Sequence, residues 1–310
     1  GPGSDAHPFY KQEPVSNVID RVGLDRTLAD AARAAGVDIR EGHTVVGVEE
    51  HNDRVVVEVS VAGDRGGSAN AGSGTVESAQ DAATERFEAQ LVAGCDGPTS
   101  RIRRSLDLPE PDELLHGVLA FDNAPDDGDL VDVHLTAPTF FAWRIPRGDA
   151  GVEYGLAAPP GDDVSSLFDR LTDAYDVETD RFCSGAIPVG PPDRVTTDRA
   201  FLIGDAAAQT KPFTGGGILY GMTAADIAAK AIDPNDPGTL AEYESGWREE
   251  LSREIRLGKA IRACYSLPEP VQRAGLWALS GEIGVHMDRP SSFFSPSHLR
   301  KLVSRADPPE

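Results

Sequence analysis

The apolar positions of this 310-residue chain change their period several times. From Leu24 to Ala35 they fall at helical spacing among good helix formers, and Gly36 follows as a stop, which predicts a helix. Thr44–Val48 and Arg54–Val61 are valine-rich and are joined by Glu50-His51-Asn52-Asp53, so they predict a hairpin. Residues 62–84 are Gly, Ser, Ala, Asp and Thr with almost nothing apolar, as in a loop or insertion. No βαβ context surrounds Gly72-Ser73-Gly74, so these glycines read as loop flexibility, not as a phosphate cradle. A strand is predicted from Glu85 to Ala93, running into Gly94-Cys95-Asp96-Gly97. Segments 113–121, 129–136, 140–145 and 151–157 alternate or cluster apolar residues between Asp, Pro and Gly, the pattern of an antiparallel meander. A helix over 164–175 and a strand over Phe182–Val189 follow, the latter ended by Pro191-Pro192. Strand Ala200–Ile203, a glycine-rich turn and a helix from Ile218 to Ile232 come next, then helical stretches over 239–264 and 271–286.

The order is α/β, then antiparallel sheet, then α/β again, then helices. A sheet domain inserted into a nucleotide-binding domain produces that order. The expected division is 1–104 and 193–235 for the nucleotide-binding part, 105–192 for the sheet, and 236–310 for a helical C-terminal region.

Composition narrows the function. With 40% apolar residues the chain can bury a core. Its 29 Lys and Arg against 51 Asp and Glu leave a net charge of −22, which repels phosphate backbones and argues against nucleic acid as a partner. No apolar run of about 18 residues is present to span a bilayer, and no signal peptide opens the chain. Three scattered cysteines and seven histidines without HExxH spacing support neither a disulfide framework nor a metal site. The basic residues are mostly Arg, with five Lys, and the acids cluster as at Asp126-Asp127 and Asp162-Asp163. Such a surface suits high salt, which screens self-repulsion, so the expectation is a halophilic, archaeal cytoplasm.

The chemistry concentrates in Phe201-Leu-Ile-Gly204-Asp205-Ala-Ala-Ala-Gln209-Thr-Lys211-Pro212-Phe-Thr214-Gly215-Gly216-Gly217-Ile218. An apolar strand ends in an acid that can accept hydrogen bonds from sugar-like hydroxyls. Three glycines then open a helix, where backbone N–H groups can approach an anion or a polar ring edge closely. The segment resembles the second FAD fingerprint of the glutathione-reductase-type flavoproteins, and within them the geranylgeranyl reductase version GDAAGQxxPxTGGGI. The resemblance implies that Gly204, Asp205 and Pro212 serve FAD, with Asp205 on the ribityl chain. It also implies that Gly215 and Gly216 contact the cofactor and that Gly217 and Ile218 lie against the isoalloxazine through their backbone.

Three further stretches carry the resemblance. Gly94-Cys95-Asp96-Gly97-Pro98-Thr99-Ser100-Arg101-Ile102-Arg103 is similar to the motif GxDGxxSxxR, which implies cofactor contacts at Asp96 and Gly97. Pro138 to Pro146 is similar to PxxYxWxFP, with Phe141 in place of Tyr and Ile145 in place of Phe; it implies a lipid pocket lined by Phe141, Trp143, Ile145 and Pro146. The stretch from Val18 to Ala29 resembles the helix after the first FAD unit, implying that Arg21 contacts the cofactor and that Val45 meets its adenine end through its backbone. No GxGxxG precedes them, and the family's first βαβ unit, roughly 70–90 residues, is expected to be absent.

The fold expected is therefore α/β: a Rossmann-like FAD-binding domain lacking its first βαβ unit, an inserted antiparallel sheet, and C-terminal helices. The activity implied is flavin-dependent reduction of C=C bonds in isoprenoid (geranylgeranyl) chains of archaeal lipids. Ferredoxin or NAD(P)H would be the electron donor, and the lipid would bring a peripheral contact with a membrane. Two rivals are an FAD monooxygenase of a hydrophobic ring and a non-catalytic lipid- or protein-binding remnant.

Overall fold

The computed structural model describes residues 6–10, 18–61, 83–180 and 182–282. Residues 62–82 of the glycine- and serine-rich stretch and residues 283–286 lie outside the described residues; the helix expected over 271–286 instead runs from Glu269 to Leu279, and the chain turns at Gly281, with φ +102°, into an extended pair Gly281–Glu282. A short strand β1 (Phe9–Tyr10) precedes helix α1 (Arg21–Ala34). Helix α1 starts where Asp20 accepts hydrogen bonds from the N–H groups of Val22 and Gly23, a side-chain N-cap. Strands β2 (His43–Glu50) and β3 (Val55–Val61) form the expected hairpin, and β4 (Ala83–Ala89) adds to it antiparallel.

The strand expected from Glu85 to Ala93 divides in two. Strand β4 stays with β3, while β5 (Val92–Gly94) runs parallel to a strand much later in the chain. Its two halves answer to partners in different sheets, so the chain breaks at Gln90-Leu91. Helix α2 (Arg101–Ser105) follows, capped by the Ser100 hydroxyl on the N–H of Arg103.

The next strands are β6 (Glu113–Asp122), β7 (Asp132–His134), β8 (Ala142–Pro146) and β9 (Val152–Ala158); helix α3 (Val164–Tyr175) and strand β10 (Phe182–Val189) complete this region. Their sheet has the order β10-β6-β9-β8-β7. Only β7, β8 and β9 form a meander. Strand β6 leaves its sequence neighbour and lies between β9 and β10, because it buries residues on both faces and suits a central place. Three-residue β7 leaves Val133 exposed and takes the edge. Helix α3 covers one face with Val164, Phe168 and Leu171, a stripe at helical spacing, packed on Val118, Ala120, Tyr154 and Leu156.

The chain then returns to β5 with β11 (Ala200–Leu202), followed by helices α4 (Ile218–Ala231), α5 (Leu240–Ala263) and α6 (Glu269–Leu279); a last short strand, β12 (Gly281–Glu282), pairs with β1. Ala224 and Ala228 of α4 and Tyr243, Trp247, Leu251 and Ile255 of α5 form a core with Leu202 and Ile102 beside the parallel pair.

Candidate functional site

Strands β5 and β11 pair with Val92 opposite Ala200 and Gly94 opposite Leu202, and the Ile203 N–H donates to the Gly94 carbonyl at 2.9 Å. Gly94–Gly97 and Gly204–Asp205 therefore leave the sheet side by side at the carboxyl ends of parallel strands, the usual place for a ligand in α/β sheets. Gly204 turns the chain with φ +65°, a conformation that favours glycine. Its N–H donates to Gln209 Oε1 at 2.8 Å; the Gln209 amide donates to the Tyr243 hydroxyl, which donates to the Leu202 carbonyl at 2.7 Å. This buried relay fixes the turn that carries Asp205. The motif included Gln209 without a role for it, and Tyr243 arrives from α5, where nothing in the local sequence marks it.

Asp205 is half-buried, and desolvation raises its pKa, opposed by the charge of Arg21 at the start of α1. Among the described residues no donor reaches its carboxylate. Arg21 itself pairs with Asp25 at 2.9 Å and remains mostly exposed.

The neighbouring motif behaves differently. The Asp96 carboxylate, expected to serve the cofactor, accepts from the Ser100 hydroxyl at 2.5 Å and from the N–H groups of Arg101 and Ile102 at 2.7 and 3.2 Å. It is satisfied by the start of α2, and Gly97, with φ +81°, makes the turn between them. The Val45 carbonyl, next to a β-bulge, accepts from the Arg101 guanidinium at 2.9 Å. Arg103 has a larger part than the sequence suggested. Fully buried, it donates to the carbonyls of Ala206 (3.0 Å) and Pro98 (2.8 Å) and pairs with Glu110, bracing the Asp205 turn against the Asp96 loop. Its place in DGxxSxxR was the available signal.

Helix α4 begins at Gly217 with no side-chain cap, so its first-turn N–H groups lack the usual acceptor. A Cβ on Gly217 would lie 2.5 Å from Asp205 Oδ1, so the carboxylate stands directly beside the helix start. Ile218 and Leu219 are exposed on that first turn. Pro212 is buried and packs, with Phe213, against Gly258 of α5. Gly215, at φ +72°, approaches the antiparallel sheet: a Cβ there would lie 3.0 Å from Ile187 and 3.5 Å from Phe140.

That contact opens onto an aromatic wall. Phe140 and Phe141 stack with centroids 4.6 Å apart, and Trp143 tilts against Phe141 at 5.6 Å. The Trp143 ring lies over Gly155, its cross-strand partner, and its N–H donates to Glu153 at 3.0 Å. Strand alternation puts Ile145 on the same face as Trp143. It puts Pro146 on the other, opposite Val152 in the core beneath α3, so Pro146 does not join the wall as expected. Tyr265, from the end of α5, meets Phe141 edge-on at 6.1 Å, and its hydroxyl donates to the Phe213 carbonyl at 3.0 Å. Burial pushes its pKa up to about 12.

A capless helix start, an acceptor-only carboxylate beside it and glycines that let the backbone approach closely make a corner that fits a sugar-linked aromatic ring system. Fold and site thus define the class: an α/β protein of the FAD-binding type. Residues 11–152 match the family described as FAD binding domain, which supports FAD as the cofactor. More particularly, the chain is a homologue of proteins named digeranylgeranylglycerophospholipid reductase. It is 33% identical over 193 residues to that of Methanothrix thermoacetophila, covering 54% of this chain and 48% of the relative. It is 29% identical over 266 residues to digeranylgeranylglycerophospholipid reductase 2 of Methanothermobacter thermautotrophicus, covering 79% and 64%. The chain thus spans about half to two thirds of these relatives. A geranylgeranyl bacteriochlorophyll reductase-like protein of Thermoplasma acidophilum has the same fold, with TM-score 0.74 at 18% identity over 97% of this chain and 80% of that one. So does p-nitrophenol 4-monooxygenase of Pseudomonas putida, with TM-score 0.61 at 17% identity over 92% and 71%.

Proposed function

We propose that this chain holds FAD at the Asp205–Ile218 turn and takes part in reducing C=C bonds of the isoprenoid chains of an archaeal glycerophospholipid. The observation that carries this reading is the close approach of Gly215, in the glycine turn, to Ile187 and to Phe140 of the aromatic wall, where a Cβ would lie 3.0 and 3.5 Å from them. An alkene has no group to hydrogen-bond, so it must be positioned by shape against an apolar surface next to the cofactor. Similarity to the reductases named above supports the choice of lipid.

In this reading the Asp205 carboxylate accepts from the ribityl hydroxyls, and the charge of Arg21 opposes part of the rise in pKa that burial imposes on it. The backbone of Gly215 to Ile218 receives the ring edge. Phe141, Trp143 and Ile145 line the side on which the lipid lies and exclude water. Gly204 and Pro212 hold the shape of the turn, while Asp96, Gly97 and Val45 support the cofactor indirectly through α2 and Arg101. Bound FAD supplies the reducing equivalents that the polypeptide lacks. A lipid substrate in turn requires transient contact with a membrane, and the donor is a ferredoxin or NAD(P)H.

The test is to offer digeranylgeranylglycerophospholipid to FAD-loaded protein reduced with dithionite and to follow lipid mass. A gain of one H2 per bond reduced supports the reading. Oxidation of the reduced flavin with unchanged lipid overturns it.

A further inference from the structure

We infer that Glu153 is a positioning residue for the lipid, holding the Trp143 indole flat on the sheet and so fixing how the isoprenoid chain lies. The inference rests on the lipid lying along the aromatic wall. Strand register sets the distances. On the wall face Ile187 stands opposite Leu115, Gly117 opposite Ala157, Leu119 opposite Gly155 and Phe121 opposite Glu153. Successive rows on one face of a sheet are about 7 Å apart. Gly215 approaches the first row, at Ile187. Trp143, opposite Gly155, belongs to the third row, and Ile145, opposite Glu153, to the fourth. The row of the indole therefore stands about 14 Å along the strands from the row that meets the glycine turn.

Two contacts hold the indole there. A Cβ on Gly155 would lie 2.3 Å from Trp143 Cζ2 and 2.8 Å from Nε1, so a glycine is needed for the ring to rest on the β9 backbone. The indole N–H then donates to Glu153 Oε1 at 3.0 Å. Glu153 is half-buried between Ile145 and Phe121, its neighbours across β8 and β6. Among the described residues the indole is the one hydrogen-bond partner of its carboxylate. A polar group set between apolar neighbours loses hydration, and here it gains a single bond to a tryptophan in return. That bond selects one orientation of the ring, whose χ2 is otherwise broad. Keeping the face soluble would not require the carboxylate to reach across to β8. An isoprenoid chain repeats the same alkene, so its register needs fixing as well as its place. The cofactor cannot supply that, because each unit offers it the same group. A flat aromatic surface two rows away holds a remote part of the chain and thereby orients the reacting part.

The experiment compares wild type with Glu153→Leu, Glu153→Ala, Glu153→Gln, Trp143→Phe and the double variant Trp143→Phe/Glu153→Leu. FAD-loaded proteins reduced with dithionite are given digeranylgeranylglycerophospholipid, and kcat/KM is read from lipid mass. Cofactor-free wild type and Glu153 single variants are titrated with the same lipid while tryptophan emission is followed. Glu153→Leu and Glu153→Ala should each lower kcat/KM about tenfold and weaken lipid binding to a similar extent. Glu153→Gln keeps a carbonyl acceptor for the indole and should retain most of both values. In the Trp143→Phe background Glu153→Leu should cause no further loss, which a general structural role would not predict. FAD should bind all the proteins alike. Two truncated variants keep the test open if one fails to fold. Unchanged or higher kcat/KM and lipid affinity in a folded Leu or Ala variant overturn the inference alone. An equal further loss in the Trp143→Phe background, or loss of FAD in the Glu153 variants, also overturns it. A wild-type protein that oxidises its flavin and leaves the lipid unchanged overturns the proposed function first, and this inference with it.

Discussion

Asp205 carries opposed demands. Burial raises its pKa, so the folded chain holds the proton more tightly than the unfolded one. This group therefore favours the native state at low pH, and that contribution is lost as pH rises through its folded pKa. Hydroxyls that donate to the carboxylate favour the ionised form, so FAD affinity should fall as pH drops through the same range. Asp205→Asn should then weaken FAD by about 10- to 150-fold, the loss of a charge-assisted hydrogen bond of about 1.5–3 kcal/mol. It should also remove the pH dependence and leave the melting point of the cofactor-free protein unchanged or higher. Flavin fluorescence titrations at several pH values, beside thermal melts, check both halves. Arg103 makes a separate prediction. Arg103→Met leaves the carbonyls of buried Ala206 and half-buried Pro98 without their donor and should cost about 2–3 kcal/mol of stability. Glu110→Gln, at the exposed end of the pair, should cost under about 1 kcal/mol. Denaturant midpoints with unchanged slope would separate the two. The sequence marked Asp205 plainly, because an acid at the end of an apolar strand before three glycines has few other uses. It did not disclose what Arg103 holds, because the carbonyls it reaches belong to Pro98 and to Ala206, more than a hundred residues away.

Among elements, the link between the cofactor turn and the aromatic wall depends on close backbone approach. A Cβ on Gly155 would lie 2.3 Å from the Trp143 ring, so Gly155→Ala should displace the indole and cost about 1–3 kcal/mol. The change should appear as altered fluorescence of Trp143, with Trp247 buried in a separate core and Trp277 on the surface as references. Helix α5 also ties the two regions together: Arg262 pairs with Glu113, at the start of β6, at 2.8 Å, and Lys259 with Asp112, just before it, at 2.7 Å. Period alone placed most elements well. The helix expected over about 164–175 is α3, because its apolar stripe lies within the segment and the Asp163 cap and the left-handed Asp176 bound it on either side. The face of Pro146, three positions from Trp143 on a strand with a period of two, follows from the same rule, but the motif resemblance grouped it with the pocket lining. The place of β6 between β9 and β10 was not legible, because alternation shows that a face is buried without showing which strand lies beside it.

At the scale of the whole molecule, charge dominates. A net charge of −22 on 310 residues repels itself, and dilute buffer leaves that repulsion unscreened. Thermal midpoints should be higher in about 2 M than in about 0.1 M KCl, where the screening length is near 10 Å; equal midpoints would contradict the reading of the surface as adapted to salt. No helix among the described residues is long and apolar enough to cross a membrane. What the sequence by itself determined is what short-range forces determine. Helix and strand periods, caps, the glycine turn and the acid beside it all depend on residues within a few positions of one another. The tertiary structure alone decided the pairing of β5 with β11, the order of the five-stranded sheet, the buried relay from Gly204 to Tyr243 and the meeting of Tyr265 with Phe141. Apolar burial is non-directional, so the pattern requires that a surface be covered but leaves the covering partner to the packing of the whole chain.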